Sequence, residues 1–175
     1  MPQLISYIAP GAPATRRVAG TALPFLRPEA GFTPQWYRNI LGIDFGEPWH
    51  TDPVFRKTTR QEMYGELDRR FPGKRIGRLD NDAMDILTGT YGASAIAAVY
   101  GVEIRYSADQ WPVSEHQYLS ENEIENLTPP NLDNNPFFLA LMQQVDQIAL
   151  MEGKIEGFIN WQGVLNNAQR LRGQD

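Results

Sequence analysis

The sequence predicts an α/β fold in which strands alternate with helices around a parallel sheet. Two observations predict it: short apolar runs of strand length, and longer segments in which apolar residues follow the helical period. A third observation limits it, because the 175 residues supply about four strand candidates and about six helices, whereas a closed (β/α) barrel needs eight strands and roughly 250 residues. The chain is therefore either a small open α/β protein or a barrel cut near its middle.

Strand candidates are recognised by apolar composition or by alternation of apolar and polar residues. The first twenty residues show no sustained period and are expected to form an irregular arm, which leaves residues 21–175 as one partial barrel domain. The predicted strands are Thr21 to Leu26, Met84 to Thr88, Val102 to Tyr106 and Ile155 to Trp161.

Helix boundaries are marked by capping residues. Thr33 and Asp52 each precede a proline, and an N-cap followed by proline in the first turn is typical of a helix start. Ser120 and Glu123 have the spacing of a capping box. The predicted helices are Gln35 to Leu41, Pro53 to about Phe71, Ser94 to Tyr100, a brief helix ending at Leu127, Pro136 to about Gly153, and Gly163 to Arg172.

The composition argues against several classes of partner. The formal net charge is -5 and the two signs are interspersed, so nucleic acid and anionic membranes, which need a basic patch, are not expected as partners. The sequence shows neither a membrane span nor a secretory signal, which predicts a cytoplasmic protein. Cysteine is absent and only two histidines are present, so no metal site is predicted within the chain.

Three segments resemble consecutive N-terminal parts of uroporphyrinogen decarboxylase-like proteins, a family that also includes the corrinoid methyltransferases. They are PFLRPEAGFTPQWYRNILGIDFGEPWHTDPVFR (residues 24–56), ADQWPVSEHQYLSENEIENLTPPNLDNNP (residues 108–136) and EGFINWQGVLNNAQRLRG (residues 156–173). The family folds as a (β/α)8 barrel. The resemblance therefore implies that this chain is the N-terminal half of such a barrel, with the later strands missing.

The resemblance also implies roles for particular residues. Arg27 lies where the decarboxylases have an arginine-containing segment that grips substrate carboxylates, although a salt bridge to Glu29 or Glu47 is the alternative. An essential aspartate of the decarboxylases falls around Tyr91 and Gly92, where no carboxylate stands, and Tyr91 is the candidate for binding substrate or cofactor at this position. This departure disfavours decarboxylation and leaves methyl transfer as the expected activity of a complete protein, with zinc and a corrinoid bound only by the complete family member.

Three further groups of residues are candidates for a ligand site. His50 lies close to Glu47 and Asp52 and could transfer a proton or bind a metal, or else brace the next helix. Trp111 and His116 occupy a loop after a strand, where barrel enzymes keep their chemistry, although Trp-Pro pairs are also common in packing. The third group lies at the end of the predicted strand and at the start of the next helix: Asn160, Trp161, Gln162 and Asn166. Its amides could bind a polar ligand, or else cap the backbone.

Two functions follow as expectations. The first is the N-terminal portion of a corrinoid-dependent methyltransferase, inactive alone or active only with a complementary C-terminal half-barrel chain and a corrinoid protein. The second is a non-catalytic binding or interaction protein that keeps half of the fold. Because an unpartnered half-barrel exposes a sheet edge and an apolar face, a homodimer or a partner complex is expected for it.

Overall fold

A computed structural model describes residues 32–73, 84–114, 118–160 and 162–173. These residues are mostly helical and contain one two-stranded antiparallel hairpin. The helices are α1 (Pro34–Leu41), α2 (Glu47–Thr51), α3 (Pro53–Arg70), α4 (Ala95–Val99), α5 (Glu121–Glu125), α6 (Pro136–Glu152) and α7 (Val164–Arg172), with a 3-10 turn at Leu132–Asn134. In the hairpin, β1 (Ile104–Ser107) pairs with β2 (Gln110–Ser114), and Ile104 lies opposite Ser114.

The helix predictions are confirmed, and the caps explain why. The Thr33 hydroxyl accepts a hydrogen bond from Trp36 N at 3.3 Å. The Asp52 carboxylate accepts from the backbone N–H of Val54 at 2.8 Å, and Ser120 and Glu123 form the expected capping box. Each cap satisfies donors that the first helical turn leaves without partners. Of the α-helices in the described residues, α2 alone was missed, because five residues are too few to show a helical period.

The predicted strand from Met84 to Thr88 is wrong. The Asp85 carboxylate accepts hydrogen bonds from Leu87 N at 3.1 Å and Thr88 N at 2.9 Å, which turns the chain. The carbonyls of Ile86 and Thr88 accept from Arg56 Nε and Arg60 Nη2 of α3. Arginine side chains therefore supply the donors that a neighbouring strand would have supplied, and an apolar segment is buried without a sheet.

The strand predicted from Ile155 to Trp161 is also wrong over residues 155–160, which join no ladder. Phe158 N instead donates to the Thr88 hydroxyl at 3.1 Å, and Gly157 lies directly against Asp85. This segment packs on the residue 85–88 loop through side chains. The arm over residues 1–20 and the strand Thr21 to Leu26 lie outside the described residues.

The predicted fold, the N-terminal part of a (β/α)8 barrel, is therefore wrong. The described residues contain no parallel β/α unit, and the strand at residues 104–107 pairs with its neighbour as an antiparallel hairpin. A short apolar run is compatible with a strand and with a buried loop. Here the loop is stable because two arginines of α3 donate hydrogen bonds to its carbonyls.

Buried apolar side chains form four clusters. One surrounds Trp49 with Phe45 and Met63, and another joins Ile86 and Leu87 to Ile148 of α6. A third cluster contains Tyr91, Ala95 and Leu141, and the fourth contains Ala97, Val102 and Leu171. The fourth cluster fixes α7 against α4, which positions the pocket described below.

The sequence predicts an apolar stripe along α3 from Phe55, Met63, Leu67 and Phe71, with Arg56 among the charges off the stripe, and the structure departs from this pattern at two positions. Met63 and Leu67 are buried as predicted, and Phe71 at the end of the stripe is exposed. Arg56, which the pattern placed with the solvent-facing charges, is fully buried. Helix α6 is apolar on more than its core face, since Leu139, Met142 and Leu150 are exposed.

In the described part of the chain, no helix combines the length and apolarity needed to cross a membrane.

Replacing Gly157 with alanine should destabilise the protein severely. An added Cβ would lie 2.1 Å from Asp85 Oδ1 and 2.8 Å from Thr88 Oγ1, and the residue has a φ of 99°. We expect Gly157→Ala to lower the free energy of unfolding by about 3 kcal/mol or more in urea titrations.

Gly153→Ala is the matched control. Gly153 has a φ of 74° but open space around its Cα, so only the backbone cost of about 1 kcal/mol is expected. Equal losses in the two variants would show that residues 155–160 are not held against the residue 85–88 loop.

Candidate functional site

A buried arginine connects three parts of the fold. The Arg56 guanidinium donates from Nη1 to the Trp49 carbonyl at 2.8 Å, from Nη2 to Gln144 Oε1 at 3.1 Å, and from Nε to the Ile86 carbonyl. Burial lowers the Arg56 pKa to about 10, so the group stays charged at neutral pH. No carboxylate among the described residues lies within ion-pair distance of it. The charge is instead stabilised by the dipoles of three neutral oxygens that accept its hydrogen bonds.

The network continues from Gln144 to two of the predicted site residues. Gln144 Nε2 donates to the Tyr91 hydroxyl, and Tyr91 N donates to His50 Nδ1 at 2.9 Å. Tyr91 has a φ of 60°, a conformation that is costly for a residue with a Cβ. The two hydrogen bonds hold it there. The structure therefore brings His50 and Tyr91 together. They form one end of a buried hydrogen-bond network that runs through Gln144 to Arg56.

His50 is held in its neutral form. Its side chain is fully buried, and desolvation, together with the positive charge of Arg56, lowers its pKa to about 4. Because Nδ1 accepts from Tyr91 N, the imidazole proton is on Nε2. This N–H makes no hydrogen bond of ordinary geometry to the described residues, and the Phe45 backbone offsets only a small part of the lowering of the pKa. Asp52, proposed as a neighbour for metal binding, instead caps α3. In the described part of the chain, no three His, Asp or Glu side chains are grouped to hold a metal ion.

A pocket of about 280 Å³ lies beside α7 and contains two other predicted residues, Gln162 and Asn166. Gln169 and Arg170 line the same pocket. These four positions are separated by four, three and one residues, so the last three share one face of the helix. The remaining lining comes from Ser114 at the end of β2 and from Val113 and Tyr118.

Arg170 is oriented by two hydroxyl groups. Its Nη1 donates to Ser114 Oγ at 3.2 Å and to Ser94 Oγ at 3.4 Å. Ser94 is fully buried and Ser114 is 9% exposed. Since both serines belong to packed elements, the guanidinium is held by a fixed part of the protein.

The other predicted residues fall in different places. The prediction that Trp111 lies in a loop is wrong, because it belongs to β2 of the hairpin. Its ring packs at the edge of the core, with ring centroids 6.0 Å from Trp49 and 6.1 Å from Phe45. Asn160 accepts from Gln162 N at 3.3 Å, which shapes the turn into α7. Arg27, His116 and Trp161 lie outside the described residues. The roles assigned to these residues stay predictions.

Sequence reasoning missed Gln169, Arg170 and the two serines. Gln169 and Arg170 had a usable signal, because they lie three and four residues after Asn166 in a predicted helix. Ser94 and Ser114 had none, since each is far from Arg170 in the chain and only packing brings it near. A broader groove of about 590 Å³ beside β1, lined by Glu47, Tyr106 and Phe137 among others, contains none of the predicted residues.

Comparisons with protein families, with curated proteins and with solved structures found no match for this chain. The candidate site is therefore supported by the geometry of its own residues.

Replacing Arg56 with methionine should strongly destabilise the fold. Methionine keeps much of the side-chain length but removes every donor, so the buried carbonyls of Trp49 and Ile86 lose their partner. We expect Arg56→Met to lower the free energy of unfolding by about 3–5 kcal/mol, measured by urea denaturation. Arg69→Met on the same helix is the control, because Arg69 is exposed and pairs with Glu66 at the surface. A stability close to that of the unaltered chain in both variants would contradict the role of Arg56.

Stability should fall as the pH falls from about 6.5 towards 4. The folded His50 pKa of about 4 is below the ordinary value of about 6.5, so within this window the unfolded chain binds more protons. The full effect is about 3 kcal/mol. Glu66 and Glu152, whose pKa values are also lowered, add their losses only below about pH 4.5.

The His50 pKa is read directly from the pH dependence of its imidazole proton resonances. The chain has two histidines, so His116→Gln leaves His50 as the single imidazole. His50→Asn, whose amide oxygen replaces Nδ1 as acceptor, should reduce the loss of stability between pH 6.5 and 4.5. A His50 pKa near 6.5 in folded His116→Gln would show that the imidazole is not held in a buried neutral state.

Proposed function

We propose that this chain is a non-catalytic binding protein whose ligand site is the pocket beside α7. The observation that supports this function best is the convergence of three amide side chains and an arginine on one pocket: Gln162, Asn166, Gln169 and Arg170. A volume of about 280 Å³ lies near the lower end of the range typical of small-ligand pockets, roughly 300 Å³ and above.

The chemistry of the described lining supports recognition over catalysis. Amides and serine hydroxyls donate and accept hydrogen bonds without exchanging protons at neutral pH. The pocket thus offers donors and acceptors in fixed positions, which is what specificity for a polar ligand requires.

The pocket is also preformed. Leu119 N donates to the Leu171 carbonyl at 2.7 Å, which ties the segment after Tyr118 to α7. The Tyr118 ring packs on Gly173, where an added Cβ would lie 3.0 Å from it. Walls that are fixed before binding reduce the entropy lost when a ligand is held.

The resemblance to the decarboxylase and methyltransferase family contributes nothing to this proposal. Methyl transfer, a corrinoid, zinc and a complementary half-barrel chain all depended on a barrel, and the described residues fold differently. The homodimer and the partner complex stay predictions, which sedimentation of the full chain can test.

A screen by nuclear magnetic resonance tests the binding function. The probes are inorganic phosphate, acetate, acetamide and glycerol at millimolar concentration, and the readout is the side-chain NH2 signals of Gln162, Asn166 and Gln169. At least one probe should shift these signals saturably.

Variants assign the response to the pocket. Gln169→Leu should weaken the saturable response several-fold, because it removes one lining amide. Gln147→Leu, which alters an exposed glutamine of α6, should leave it unchanged. If no probe shifts the three amides, or if both variants weaken binding equally, the pocket is not a ligand site.

A further inference from the structure

We infer that the ligand of the α7 pocket carries an oxyanion, a carboxylate or a phosphate group, that Arg170 binds through its guanidinium edge. This inference rests on the proposed binding function and deepens it by naming the class of ligand. It is supported by the charge of the lining, by the orientation of Arg170 and by the position of the amides.

Arg170 is the single charged side chain in the described lining. In the described part of the chain no carboxylate lies within ion-pair distance of it, although acidic residues outnumber basic ones by 21 to 16 in the full sequence. A cation that has no counterion among the described residues and lies beside neutral amides produces a positive potential inside the pocket. This potential favours an anionic ligand over a neutral one.

The orientation of Arg170 leaves its binding edge available. The contacts with Ser94 and Ser114 use Nη1 alone, and Nε and Nη2 make no hydrogen bond to the described residues. Nε–H and Nη2–H point in parallel, and this pair of donors matches the two oxygens of a carboxylate or phosphate. Ser94 and Ser114 therefore act as positioning residues, which hold the guanidinium from the side opposite to that edge.

The amides complete the recognition. Gln169 and Asn166 adjoin Arg170 on the same helical face and line the same pocket. Their NH2 groups are donors that can bind a remaining oxygen or a second polar group of the ligand. Both oxygens of a carboxylate are occupied by the guanidinium edge, whereas a phosphate has further oxygens that can accept from the amides. The amides therefore favour a phosphate over a simple carboxylate.

Titration of the full chain at constant ionic strength tests the inference. Separate arms use inorganic phosphate, acetate and neutral acetamide, with sodium chloride keeping the ionic strength fixed, and the readout is the Arg170 Nε–H signal and the pocket amide signals. Phosphate, acetate or both should shift the Arg170 signal saturably, and acetamide should not. The stronger of the two anions identifies the source.

Three variants locate the anion. Arg170→Gln should weaken anion binding at least about tenfold, because a bidentate charged contact is lost. Arg172→Gln, which removes the other arginine at the end of α7, should leave it unchanged. Ser114→Ala should weaken binding by a smaller factor, since it frees the guanidinium without removing its charge. If Arg170→Gln loses the native spectrum, Arg170→Lys replaces it, and weaker binding is again expected because the fork is absent.

Each contrary outcome has a distinct meaning. Saturable shifts with acetamide and none with either anion would overturn the oxyanion and leave the binding function standing. Equal weakening in Arg170→Gln and Arg172→Gln would overturn the inference, because the anions would then respond to surface charge in general. No shift with any probe would overturn both the inference and the proposed function.

Discussion

The fold depends on the burial of one cation, Arg56. Taking a guanidinium out of water costs several kcal/mol unless its donors are satisfied, and here each nitrogen finds an oxygen on a different element. These oxygens belong to Trp49 of α2, Ile86 of the loop and Gln144 of α6. Because the guanidinium is planar and rigid, the three elements cannot move independently without leaving the charge unsatisfied. The packing around Trp49 and around Ile86 follows from this constraint.

Arginine side chains thus take the place of a central sheet. In an α/β protein, backbone groups of a buried apolar segment pair with the next strand, and the segment is recognised by its length and hydrophobicity. Here Arg56 and Arg60 satisfy the carbonyls of the residue 85–88 loop from the side of α3. The chain can then bury Ile86 and Leu87 in an irregular conformation. The hairpin at residues 104–114 does not pair with this segment, and its Trp111 packs against Trp49 and Phe45.

The helices could be predicted from the sequence because their signals are local. Thr33, Asp52 and Ser120 cap the helices that follow them, and each signal spans three or four residues. The irregular conformation of residues 84–88 could not be predicted, because the same apolar sequence is compatible with a strand and with a buried loop. The hydrogen-bond donors that stabilise the loop lie some thirty residues away, at Arg56 and Arg60. Part of the α7 pocket was predicted for the same local reason, through Gln162 and Asn166. Its serines depend on tertiary packing, which no spacing reveals.

The network from His50 through Tyr91 and Gln144 to Arg56 has a consequence for how this sequence can vary. Each member satisfies the next, so a single substitution leaves a buried polar group unpaired and costs more than the interaction it removes. Joint replacement by apolar residues of similar volume removes the unpaired side-chain groups and costs less than the sum of the single changes. The Tyr91 N–H and the carbonyls of Trp49 and Ile86 still lose their partners, so part of the cost stays. The four positions are therefore epistatic. Substitution at this core has to proceed by compensated steps, while exposed residues of α6 such as Leu139 and Gln147 lie outside the network and do not share this constraint.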